Sequence, residues 1–191
     1  MTDQVWYAAY GSNLNRQRFL CYLRGGTPDL GRRKHEGSKD RRSPAEDRIL
    51  TIPHRLYFAL PEGASRTENW GRGGVAFIDP RSDPTARTVC RIWRISREQY
   101  RDVRVQEGLV WYDNEIELGQ ADGIPIFTVS HACRLGRVVA PSRAYLKTIA
   151  VGLRETAGLS SKKIAEYLLD KVGIKGRIPR SEIEEILADL K

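Results

Sequence analysis

Short runs of β-forming residues, separated by turn sequences, fill the first two thirds of the chain, and apolar residues at helical spacing dominate the remainder. Residues 4–9 read as a strand rich in β-formers (Val5, Trp6, Tyr7), running straight into the turn sequence Tyr10-Gly11-Ser12-Asn13-Leu14. A short helix follows, with Phe19, Leu20 and Leu23 on one face and Gly25-Gly26 ending it. After a polar stretch without periodicity, residues 49–60 form one or two strands broken near Pro53, and residues 73–78 and 88–95 supply two more. Ser96, with Gln99 three residues on, fits a capping box. The helix it starts delivers the chain to Gln106-Glu107-Gly108. Residues 114–119 and 124–130 make a hairpin around Asp122-Gly123, and Pro125 points to an edge position for the second strand.

The rest is helical. Ser142 caps a helix whose buried face is Leu146, Ile149, Ala150 and Leu153, ended by Gly158. Ile164, Leu168 and Val172 mark the next helix, ended by Gly173. Ser181 with Glu184 reads as a second capping box, ahead of Ile183, Ile186, Leu187 and Leu190. Strands first and helices last predict an α+β fold: a mostly antiparallel sheet or barrel with helices packed to one side. We expect one domain over residues 1–173, with residues 26–48 as a basic loop insertion, and a helical extension over residues 174–191.

Composition narrows the class. The chain has 191 residues, 40% hydrophobic and 29% charged, enough for a compact core. Net charge is +8, which favours anionic partners. Residues 31–48 hold Arg32, Arg33, Lys34, Lys39, Arg41, Arg42 and Arg48 without an interleaved aromatic, so the run reads as a solvated, mobile loop rather than a nucleic-acid platform. Cys21, Cys90 and Cys133 are far apart and odd in number, which argues against a disulfide framework or a cysteine metal site. The three histidines are equally scattered. With no signal pattern and no apolar run long enough for a membrane span, a cytoplasmic protein without membrane partners is the default expectation.

P-loop, GxGxxG, HExxH and GxSxG motifs are absent, and Ser12 lacks the second glycine of a nucleophile elbow. Two features carry candidate chemistry. The strand ending in Gly11-Ser12-Asn13 before a helix can expose backbone N–H groups to a carboxylate or oxyanion, although an ordinary polar-capped turn reads the same way. Glu107 lies among apolar and aromatic neighbours in Gln106-Glu107-Gly108-Leu109-Val110-Trp111-Tyr112, where desolvation can raise a carboxyl pKa into the range useful for proton transfer. A surface glutamate beside a turn is the plainer alternative.

Together these features resemble the γ-glutamylcyclotransferase-like superfamily. Tyr10-Gly11-Ser12-Asn13 matches its N-terminal hallmark, and Glu107-Gly108 with Tyr112 its Glu-Gly dipeptide and following tyrosine. Gly73-Gly74-Val75-Ala76-Phe77-Ile78 is similar to its glycine-led strand, Pro141-Ser142-Arg143-Ala144-Tyr145 to the start of a late helix, and Gly158-Leu159 to the step before its last helices. The resemblance implies a small closed or nearly closed β-barrel flanked by helices. It further implies cleavage of a γ-glutamyl amide by attack of the substrate's own α-amine, releasing 5-oxoproline and an amine. Glu107 would be the catalytic acid/base, with Tyr7, Tyr10, Gly11, Ser12, Asn13, Leu14, Tyr112 and Tyr145 binding substrate. No metal or other cofactor is required, the partner is a small γ-glutamyl molecule, and the expected state is a monomer or homodimer. A non-catalytic ligand-binding module on the same fold, or a nucleic-acid-associated protein using the basic loop, are the other readings.

Overall fold

The computed structural model describes residues 3–65, 67 and 69–190. Among the described residues, seven strands and five α-helices follow in the order β1 (Gln4–Ala9), α1 (Arg16–Arg24), β2 (Glu46–Ile52), β3 (His54–Ala59), β4 (Val75–Ser82), β5 (Thr88–Ser96), α2 (Arg97–Glu107), β6 (Asn114–Ala121), β7 (Ile124–Ser130), α3 (Arg143–Ala157), α4 (Ser161–Leu169) and α5 (Arg180–Ala188). A one-turn 3-10 helix, Ser12–Leu14, joins β1 to α1. The fold is α+β, as the pattern of elements predicts.

Two sheets form, rather than one closed barrel. The larger has the order β2-β5-β1-β7-β6, and the smaller pairs β3 with β4. β1 lies at the centre, antiparallel to β5 and parallel to β7. Where a barrel would close, the ladder is replaced by one side chain. Ser130 on β7 donates its hydroxyl to the Ile78 carbonyl at 2.7 Å and accepts from the Ile78 N–H at 3.1 Å. A hydroxyl filling the gap satisfies the backbone of β4 without bringing the two strands to ladder distance.

Helices cover both faces of the large sheet, not one. Val5, Tyr7 and Ala9 pack with Phe19, Tyr22 and Leu23 of α1 and with Tyr100 and Val103 of α2. Trp6 and Ala8 point the other way, into a core shared with β3, β4 and the apolar faces of α3, α4 and α5. Burial on both faces explains why β1 is apolar throughout instead of alternating. The C-terminal residues Ile183, Ile186, Leu187 and Leu190 belong to that core.

Three local expectations change. β7 is internal, with β6 at the edge, and Pro125 sits one step outside its registered pairs with β1, opposite Gln120 beside a break in the β6 register. No long ladder therefore needs its missing N–H. α5 begins at Arg180 behind Pro179, without a side-chain cap. Ser181 thus lies inside the first turn, and Glu184 pairs with Arg180 at 3.6 Å. α4 stops at Leu169 with Asp170 as its C-cap, short of Val172. The capping box of α2 and the Ser142 cap and left-handed Gly158 end of α3 form as their sequences predict.

The basic segment is fastened down. Gly26 and His35 exchange backbone hydrogen bonds at 3.0 and 2.8 Å, and the Ser38 N–H donates to the Leu23 carbonyl at 2.9 Å. Gln99 of α2 donates to the carbonyls of Asp40 and Arg42. His35 is buried with its ring 4.0 Å from that of Tyr22. Its charges read as solvent-facing in the sequence, but its backbone is held by α1 and α2, which replaces the expected mobile loop.

Candidate active site

β1 ends at a bend that its neighbours lock in place. Asn15 caps α1 by accepting from the Arg18 N–H at 2.8 Å, fixing where the helix starts. Arg91 of β5 donates to the Leu14 carbonyl at 3.1 Å and is paired with Asp47 and Glu155. Trp93 donates its indole N–H to the Asn13 carbonyl at 3.1 Å. From behind, α3 presses Gly152 against the bend: a Cβ there would lie 2.6 Å from the Asn15 nitrogen.

Glu107 is the last residue of α2, which ends at Gly108 with φ 93. Oε1 accepts from the Tyr7 hydroxyl at 3.0 Å and from the Asn13 side-chain amide. Oε2 accepts from the Tyr22 hydroxyl at 3.4 Å. The carboxyl is pushed above its ordinary value by burial, a rise opposed by the nearby Arg18 charge and by the Tyr7 and Tyr22 hydrogen bonds. Burial also raises the tyrosine hydroxyls, Tyr7, Tyr10 and Tyr112 well above their ordinary range and Tyr145 to about 12, so they remain protonated donors.

Seven of the eight residues expected around Glu107 line the same hollow: Tyr7, Tyr10, Gly11, Ser12, Asn13, Tyr112 and Tyr145. Tyr10 is anchored by donation to the Val129 carbonyl at 2.6 Å and Tyr112 by donation to the Ala76 carbonyl at 3.0 Å. The turn at Gly108, whose carbonyl accepts from the Trp111 and Tyr112 N–H groups at 3.0 Å each, swings Tyr112 inward onto Phe77. Tyr145 accepts from the Ala76 N–H at 3.1 Å. Leu14 is the exception. It is fully buried, packs on Gly152 and is not part of that lining.

Beyond Glu107 the hollow opens into a cavity of about 320 Å³. Its walls include Arg18, Tyr22, Arg33, Thr67, Asn69, Trp70, Gln106 and Trp111, none of which the sequence reading named for the site. Arg18 and Tyr22 had a usable signal: they are four apart on the helix that follows the bend, so they share a face. Arg33 had none, because only the folded path of the basic segment brings it here. Among the described residues, no three His, Cys, Asp or Glu side chains cluster as a metal site.

The topology and this site define a chain with the γ-glutamylcyclotransferase-like fold. A solved structure described as a gamma-glutamyl cyclotransferase aligns with TM-score 0.61 at 20% identity, over 97% of this chain and 98% of that one. The uncharacterized protein loc79017 from Homo sapiens aligns with TM-score 0.60 at 21% identity, over 98% and 99%. YkqA from Bacillus subtilis aligns with TM-score 0.56 at 17% identity, over 90% of this chain and 56% of that one. No protein-family model matches the chain. Among curated proteins, Histone deacetylase 5 of Arabidopsis thaliana is 35% identical over 207 aligned positions covering 87% of this chain. The chain spans about 30% of the length of that relative.

Proposed function

We propose that the chain is a γ-glutamyl cyclotransferase in which Glu107 is the acid/base. The observation that carries this reading is a single carboxyl, raised by burial, bonded to Tyr7 and Asn13 and sharing its hollow with the bend at Gly11–Asn13. In a γ-glutamyl amide the α-amine can reach the γ-carbonyl of its own molecule through a five-membered ring. Holding that conformer replaces a bimolecular encounter with an intramolecular one. The amine nitrogen bonds to the carbonyl carbon of the γ-amide, its proton passes to Glu107, and the bond from that carbon to the departing amine nitrogen breaks as Glu107 returns the proton to it. Tyr7, Asn13 and Tyr22 hold the carboxylate in position, and the backbone of Gly11–Asn13 faces the substrate carboxylate or the developing oxyanion. The products are 5-oxoproline and a free amine, with no water consumed.

The test is product analysis in ¹⁸O-labelled water with γ-glutamyl-alanine. Cyclisation yields unlabelled 5-oxoproline and alanine in equal amounts. Labelled glutamate would make the chain a hydrolase, and no product from a panel of γ-glutamyl amides would favour a ligand-binding module.

A further inference from the structure

Arg18 is 3% exposed, yet its charge meets no carboxylate ion-pair partner among the described residues. Its guanidinium lies 4.7 Å from the Trp70 ring and 5.4 Å from the Tyr22 ring. One nitrogen donates to the Tyr22 hydroxyl at 3.2 Å. Nε and the other terminal nitrogen have no hydrogen-bond partner among the described residues. Asn69, 9% exposed, is in the same condition: its Oδ1 accepts from the N–H groups of Arg32 and Arg33, while its Nδ2 is unpartnered. The two meet at Gly31, where a Cβ would come within 2.6 Å of Asn69 Oδ1 and 3.3 Å of the Arg18 terminal nitrogen. Both line the large cavity, as does Arg33.

Buried donors left without acceptors cost stability, and a buried unpaired cation costs more. A planar guanidinium fork beside an amide N–H is complementary to a carboxylate, which can accept from both. The Tyr22 hydroxyl stands between the site and Glu107, accepting from Arg18 at 3.2 Å and donating to Glu107 Oε2 at 3.4 Å, and neither Arg18 nor Asn69 lines the smaller hollow at the Gly11–Asn13 bend. We propose that Arg18 and Asn69, with Arg33 at the rim, form a carboxylate subsite for the departing half of the substrate. Resting on the cyclotransferase reading for the glutamyl half, this selects γ-glutamyl conjugates of amino acids over those of neutral amines.

The pair γ-glutamyl-alanine and γ-glutamyl-ethylamide isolates the question, because both keep the glutamyl carboxylate and differ only by the carboxylate of the departing amine. Calorimetry on Glu107→Gln protein reads binding without turnover, so a failure of the catalytic reading leaves this test intact. The alanine conjugate is expected to bind at least about tenfold tighter, the scale of a charge-assisted hydrogen bond. In the Arg18→Met, Glu107→Gln protein that ratio should fall to about twofold or less. Arg33→Ala, an exposed position that does not threaten folding, should reduce the ratio by about threefold with a salt-sensitive remainder. Equal binding of the two conjugates, binding of neither, or a ratio that survives both substitutions overturns the subsite. Equal loss of both conjugates on Arg18→Met also overturns it, since Arg18 would then hold the glutamyl carboxylate.

Discussion

The Tyr7 hydroxyl donates to Oε1 of Glu107 at 3.0 Å, joining the middle of β1 to the last residue of α2. The bond favours the ionised carboxyl and so works against the burial that raises it. Tyr7→Phe removes it, and the Glu107 carboxyl then titrates at higher pH. The acid limb of kcat/KM should move up by about one pH unit, with about a tenfold loss of rate on that limb and little change on the plateau. A pH–rate profile checks this. An unmoved limb would show that Tyr7 packs against the site without tuning it.

Gly152 lets α3 touch the bend. Gly152→Ala puts a carbon 2.6 Å from the Asn15 backbone nitrogen, which no side-chain rotation can relieve. Overpacking of this kind costs about 2 kcal/mol, and thermal unfolding should fall by roughly 5 °C. Because Asn15 caps α1 and that helix carries Arg18 and Tyr22, substrate binding should weaken below the unfolding temperature as well.

His35 is held neutral. Burial lowers its imidazole from 6.5 to about 4, so between those values the unfolded chain takes up a proton that the folded chain refuses. That difference removes stability as pH falls through the window. His35→Phe keeps a ring on Tyr22, and neither imidazole nitrogen has a hydrogen-bond partner among the described residues. The melting temperature of the variant relative to wild type should therefore rise as pH drops from about 6.5 to about 4. Parallel curves would assign the acid sensitivity to other groups.

Local chemistry was legible in the sequence wherever one residue type decides it. Ser96 with Gln99, Ser142, Gly158 and Asp122-Gly123 mark element ends because each satisfies or permits a backbone conformation on its own. The order of strands and helices gave the class. What stayed hidden depended on distant partners. Ser130 bridging to Ile78 leaves the barrel open, and no pattern in β7 announces it. Pro125 signalled an edge by its missing N–H, but the ladder to β1 is short enough to spare it.

The site was half legible for the same reason. Glu107 and the Tyr10–Asn13 bend are contiguous motifs, and the structure brings them into contact. Leu14 belongs to the same motif yet serves the core, because side chains in a tight turn point in different directions. Arg18 and Tyr22 could be placed by helical spacing, whereas Arg33 and Asn69 reach the cavity through irregular loops that have no period to read.

The central claim is that Glu107 carries the proton. Release of 5-oxoproline from γ-glutamyl-alanine by Glu107→Gln, compared with wild type, tests it most directly, with folding and substrate affinity confirmed in parallel. The account predicts a fall in kcat of about 10² to 10⁴ with binding retained. Release at the wild-type rate would contradict it.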